Sequence, residues 1–105
     1  MSGNGRPVVL TGKQRRRLRA LGHHLKPVVM VGKEGVSDAV VGAVEQAIEA
    51  HELIKLKVLE SAPESVSSTA VVLAERSGAA LVQVLGRTVL LYRPDESSPR
   101  IILSE

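Results

Sequence analysis

Two apolar segments about 22 residues apart constrain this chain more than any other feature. They are Val28-Val29-Met30-Val31 and the alternating Leu53-Ile54-Lys55-Leu56-Lys57-Val58-Leu59. Strands that far apart pair in parallel only if a helix carries the chain back between them, and such a crossover is right-handed. The intervening residues supply that helix. Val40, Val41, Val44, Ala47 and Ile48 recur at helical spacing from Ser37, the expected N-cap, to about His51, with Asp38, Glu45, Glu49 and Glu52 expected to face water. The first strand is an unbroken apolar run of the kind buried on both faces or under a helix. The second alternates, so Ile54, Leu56 and Val58 share one face while Lys55 and Lys57 are expected on an exposed one.

Around this unit the punctuation is regular. Thr11 with Gln14 three residues later fits a capping box, and Leu18, Leu21 and Leu25 then recur on one helical face, so a helix is expected from Thr11 to about His23, with Gly22 helping to end it. A third helix is expected over 66–77, with Val66, Ala70, Leu73 and Ala74 toward the core and Gly78 as its stop. Two last strands, 81–85 and 88–92, are joined by Gly86-Arg87, where a leading glycine suits a type II′ turn. Pro94 ends the last strand. Ile101-Ile102-Leu103 either adds a short edge strand or covers the core. The order is α-β-α-β-α-β-β, a mixed-sheet α/β domain. A length of 105 residues with 44% hydrophobic content fits one modest core. We expect a flexible lead-in over 1–9, the domain over 10–94 and a C-terminal tail over 95–105.

Charge is distributed unevenly. Residues 1–33 hold eight Lys or Arg and no acid, and residues 34–105 hold six bases against eleven acids, so a block of +8 precedes one of −5. Lys13, Arg15, Arg16, Arg17 and Arg19 crowd the first helix and Lys26 follows it. Like charges at i,i+4, such as Arg15 and Arg19, destabilise an isolated helix, and a merely solvated face would intersperse acids. The block therefore points to a polyanionic partner, with a solvated surface as the bland alternative. One aromatic residue, Tyr92, argues against modules that stack successive bases on aromatic rings. Backbone contacts should dominate.

Between the first strand and the second helix lies Gly32-Lys33-Glu34-Gly35. Two glycines flanking two outward side chains leave backbone amides and a helix start free to face an anion. K homology domains clamp a nucleic-acid backbone with a G-x-x-G loop, although an ordinary strand-to-helix turn reads the same way. Glu34 disfavours phosphate, leaving Lys33, the amides and the first helix to carry the contact.

Other chemistry has little to stand on. There is no cysteine, His23, His24 and His51 are the only imidazoles, and no G-x-S-x-G, Walker or H-E-x-x-H pattern occurs. We expect no catalytic residue, metal, cofactor or small-molecule substrate. No apolar run is long enough for a signal peptide or a membrane span, so a cytoplasmic protein is expected.

Several motifs then agree in order and spacing with one family. Leu10-Thr11-Gly12-Lys13-Gln14-Arg15, Leu25-Lys26-Pro27-Val28-Val29, Val31-Gly32-Lys33-Glu34-Gly35, His51-Glu52-Leu53-Ile54-Lys55-Leu56-Lys57 and the run from Gln83 to Pro94 resemble the YhbY-type chloroplast RNA splicing and ribosome maturation (CRM) domain. The resemblance covers about residues 10 to 94. It implies a two-layer sandwich with a four-stranded mixed sheet, strand order 1-2-4-3, similar to the C-terminal domain of translation initiation factor three. It also implies a non-enzymatic RNA-binding protein that associates, in bacteria, with precursors of the large ribosomal subunit; plant relatives serve group II intron splicing. The expected RNA-binding residues are Lys13, Arg15, Arg16, Arg17, Arg19, Lys26, Gly32, Lys33, Glu34 and Gly35. A monomer is expected. The alternative is a protein-interaction module docking on an acidic assembly partner.

Overall fold

The parallel crossover forms. A computed structural model, which describes residues 8–103, runs α1 (Gly12–Gly22), β1 (Pro27–Val31), α2 (Asp38–His51), β2 (Leu53–Val58), α3 (Val66–Ser77), β3 (Ala80–Leu85) and β4 (Thr88–Tyr92). The first seven positions of the expected lead-in lie outside the described residues. β1 pairs in parallel with β2, and β4 runs antiparallel to both β2 and β3. The sheet order is β1-β2-β4-β3, as the resemblance implied.

Local chemistry sets the boundaries. The Thr11 hydroxyl accepts from Gln14 N–H at 3.0 Å and Gln14 Oε1 accepts from Thr11 N–H at 3.0 Å, closing the capping box. Ser37 and Ser65 cap α2 and α3 by accepting from Val40 N–H at 3.2 Å and Ser68 N–H at 3.0 Å. Gly78 stops α3 in the left-handed region at φ +69°. Gly86 takes φ +59° while Arg87 does not adopt positive φ, the pattern of the expected type II′ turn.

Alternation along the strands divides the core. Val29, Val31, Ile54, Leu56, Val58, Val89 and Leu91 face α2 and α3, meeting Val41, Val44, Ile48, Ala70 and Leu73. Leu53, Val82, Leu90 and Tyr92 point to the other face, where Leu18 of α1 buries them. The two layers expected are those of the sheet with α2 and α3, and α1 adds partial cover on the second face. It lies close: a Cβ on Gly22 would stand 2.6 Å from Leu90 Cδ1. Gly22→Ala is therefore expected to cost about 1–3 kcal/mol by overpacking, read from urea unfolding.

β1 takes the second of its two expected settings, under a helix rather than covered on both faces: Val28 is 54% and Met30 52% exposed, because α1 packs over β2, β3 and β4. Three sequence expectations need correction. Leu25 lies beyond α1, which stops at Gly22, and so does not extend its apolar stripe. Glu52 does not face water: it is fully buried at φ +66°, one residue past α2. Its carboxylate accepts from the backbone N–H of Asp95 at 2.6 Å, Arg100 at 3.0 Å and Ile101 at 2.8 Å. Lys55 is half-buried rather than exposed. Held by Glu52, the C-terminal segment forms no strand, and Ile101 and Leu103 pack on the second-face cluster.

Candidate nucleic-acid interface

The cations of α1 divide into two groups according to where Leu18 points. Residues three and seven apart share a helix face, so Arg15 lies on the same stripe as Leu18 and Gly22, both buried. Its guanidinium reaches across to β3, where Nη1 donates to Leu81 O at 2.5 Å and to Val82 O at 3.2 Å. Arg15 thus ties α1 to an edge strand, a role that the i−3 spacing from Leu18 could have revealed. Lys13, Arg16 and Arg17 are exposed, Arg19 is half-buried, and Lys26 lies exposed beyond the helix end. No acid occupies the first turn of α1. Among the described residues the ion pairs are Arg76–Asp38 at 3.4 Å and Arg93–Glu49 at 3.8 Å, and neither uses Arg16, Arg17, Arg19, Lys26 or Lys33. These five charges remain unneutralised.

The Gly32–Gly35 loop closes as a turn. Gly35 N–H donates to Gly32 O at 2.9 Å, which puts Lys33 and Glu34 at the exposed tip, and Ser37 N–H then donates to Gly35 O at 3.0 Å. The amides of Lys33 and Glu34 at this tip are left to an anion. Two acids weaken that prospect: Glu34 at the tip and Asp38 in the first turn of α2. Behind the loop, Leu59 N–H donates to Val31 O at 2.8 Å, while Arg87 donates to Val58 O at 2.6 Å and Leu59 O at 2.8 Å. The hairpin side chain thereby braces the chain on which the loop rests.

The two glycines are not equivalent. Gly35 is buried at φ +65°, and a Cβ there would stand 3.0 Å from Pro63 Cγ. Gly32 has room, with its nearest neighbours at 3.8 Å and no positive φ. Gly35→Val should therefore cost about 1–2 kcal/mol or more of stability through backbone strain alone, while Gly32→Ala should leave unfolding nearly unchanged. Parallel urea titrations of the two variants check this.

α1 and the loop lie at opposite ends of β1. α1 leads into the start of β1 and the loop leaves its end, so the strand, about 17 Å long, separates Lys26 from Lys33. A small anion cannot bridge that span; a polymer can. His23 and His24 lie at the foot, exposed, with ring centroids 5.2 Å apart in an edge-to-face arrangement. Among the described residues no group of three His, Cys, Asp or Glu could hold a metal ion.

The family model for the CRS1 / YhbY (CRM) domain matches residues 10–93, which is the stretch from the approach to α1 to the end of β4. The chain belongs to the CRM domain family. A Bacillus subtilis relative named "Probable RNA-binding protein YqeI" is 42% identical over 95 residues, covering 90% of this chain and 99% of that one. A Haemophilus influenzae protein named "RNA-binding protein" is 39% identical over 91 residues, covering 87% and 92%. The solution structure of the hypothetical protein SAV1595 from Staphylococcus aureus superposes with a TM-score of 0.78 at 34% identity, covering 91% of this chain and 100% of that one. In this CRM domain the segment clasped by Glu52, from Asp95 to Ile101, follows the last residue of the family match.

Proposed function

We propose that the chain is a non-enzymatic RNA-binding protein of the cytoplasm that associates, as a monomer, with ribosomal RNA of the large-subunit precursor during ribosome assembly. The observation that carries the reading is the run of unneutralised cations along α1 and beyond it, Arg16, Arg17, Arg19 and Lys26, continued by Lys33 at the far end of β1. Relatives over most of their length are named RNA-binding proteins, which supports the same partner. Phosphate contacts hold the protein in register without reading sequence, so RNAs of different sequence should bind alike through α1.

Lys33 and the two tip amides contribute at the other end of the strand, and Glu34 keeps the loop from gripping phosphate tightly by itself. The test is binding to protein-free ribosomal RNA across salt concentration. About five contacts predict a log-log slope of roughly −3.5 on single strands to −4.5 on duplex. A docking module for an acidic protein would show no binding to the naked RNA.

A further inference from the structure

Among the described residues, the second face of the sheet is only partly covered. β1 and β2 register Met30 opposite Lys57, β2 and β4 register Lys57 opposite Thr88, and β3 and β4 register Leu85 opposite Thr88. Met30, Lys57 and Leu85 are exposed and Thr88 is half-buried, a strip across all four strands beyond the reach of α1. At the foot of this strip, under the end of α1, the surface opens into a cleft of about 440 Å³. Its walls are Leu21, Leu25, Val28 and Leu53, and its rim carries Lys26, Lys55 and His51.

An apolar cleft with cations on its rim fits a ligand that is flat and apolar in the middle and anionic at its ends. We propose that this cleft receives one unstacked nucleobase of single-stranded RNA, with Lys26 and Lys55 holding the phosphates on either side of it; this rests on the RNA-binding reading above. The volume lies within the 300–1,000 Å³ usual for small-ligand sites, which admits a base. Bases splayed out of single strands are what RNA-binding proteins read most often, and they ordinarily stack on aromatic rings. Here the one aromatic residue, Tyr92, is 4% exposed and cannot serve. Aliphatic walls replace it. The imidazole of His51 offers a donor and an acceptor to the base edge. Charge complementarity fits RNA, because two lysines beside an apolar cleft match phosphates joined to an apolar base.

The experiment compares oligouridine of about twelve nucleotides with an RNA duplex of about the same length, using protein carrying labelled methyl groups. Oligouridine should shift the methyl resonances of Leu21, Leu25 and Val28 and show nuclear Overhauser contacts from them to uracil ring protons; the duplex should not. Leu25→Gln and Val28→Gln change surface positions, 36% and 54% exposed, and so leave the core intact. Each should weaken oligouridine binding about tenfold while moving duplex affinity less than about twofold. Binding of oligouridine with unmoved methyl signals, or equal losses on both RNAs, would overturn the base site while leaving the phosphate reading in place. Failure of both RNAs to bind at about 50 mM salt would overturn both readings.

Discussion

Glu52→Ala is expected to lower the unfolding free energy by about 2–4 kcal/mol, a large share of what a domain of this size possesses. One fully buried carboxylate accepts three backbone N–H groups, from Asp95, Arg100 and Ile101, and Arg100 adds side-chain bonds to Ala50 O at 2.8 Å and Glu49 O at 2.9 Å. Alanine would orphan all three donors. The loss is limited because the segment can lift and meet water, so amide hydrogen exchange at Asp95, Arg100 and Ile101 should rise in the variant before global unfolding. Burial pushes the Glu52 carboxyl up, but the N–H groups of Asp95, Ile101 and Arg100, with the charge of Arg100, outweigh it and hold the group below its ordinary 4.5. A folded value below the unfolded one stabilises fully above about pH 4.5, and that contribution disappears as pH falls through the folded value. Glu52→Gln should therefore be less stable at neutral pH and lose less on acidification, which urea unfolding across pH reads directly.

The second large effect is on RNA. Arg16, Arg17 and Arg19 changed together to Gln should flatten the salt dependence by about 2 units on single strands or 2.7 on duplex, and lower affinity at about 50 mM salt on the order of 10²- to 10³-fold. Helix stability should hold, because removing Arg19 also relieves its i,i+4 repulsion with Arg15. Arg15→Gln should behave in the opposite way. Its two bonds to β3 carbonyls are lost, so about 1–3 kcal/mol of stability goes with them while the salt slope changes by no more than one contact. Separating these two phenotypes by urea unfolding and salt titration distinguishes a charge aimed at RNA from one aimed at the sheet.

What the sequence made legible follows from how local each cause is. α3 and β4 have their expected bounds because a serine cap, a stopping glycine and a glycine-led hairpin are all contained within a few residues. Glu52 was not legible. The nearest partner of its carboxylate in sequence is 43 residues downstream, and an acid at a helix end ordinarily faces water. The exposure of Val28 and Met30 stays open in the sequence for a related reason: an apolar run gives a strand but not the number of faces covered, and the cover on this face depends on how far α1 extends. Arg15 was legible in principle from its spacing to Leu18, and counting charge alone obscured it. In the loop, both glycines stood out, yet only Gly35 needs positive φ.

Crosslinking the protein to RNA in living cells and sequencing the attached fragments identifies its RNA partner. Fragments should concentrate in ribosomal RNA of the large-subunit precursor, with recovery falling sharply for the Arg16, Arg17 and Arg19 triple variant at equal protein level. Fragments spread over cellular RNA in proportion to abundance, or recovery indifferent to the triple change, would contradict the proposed function.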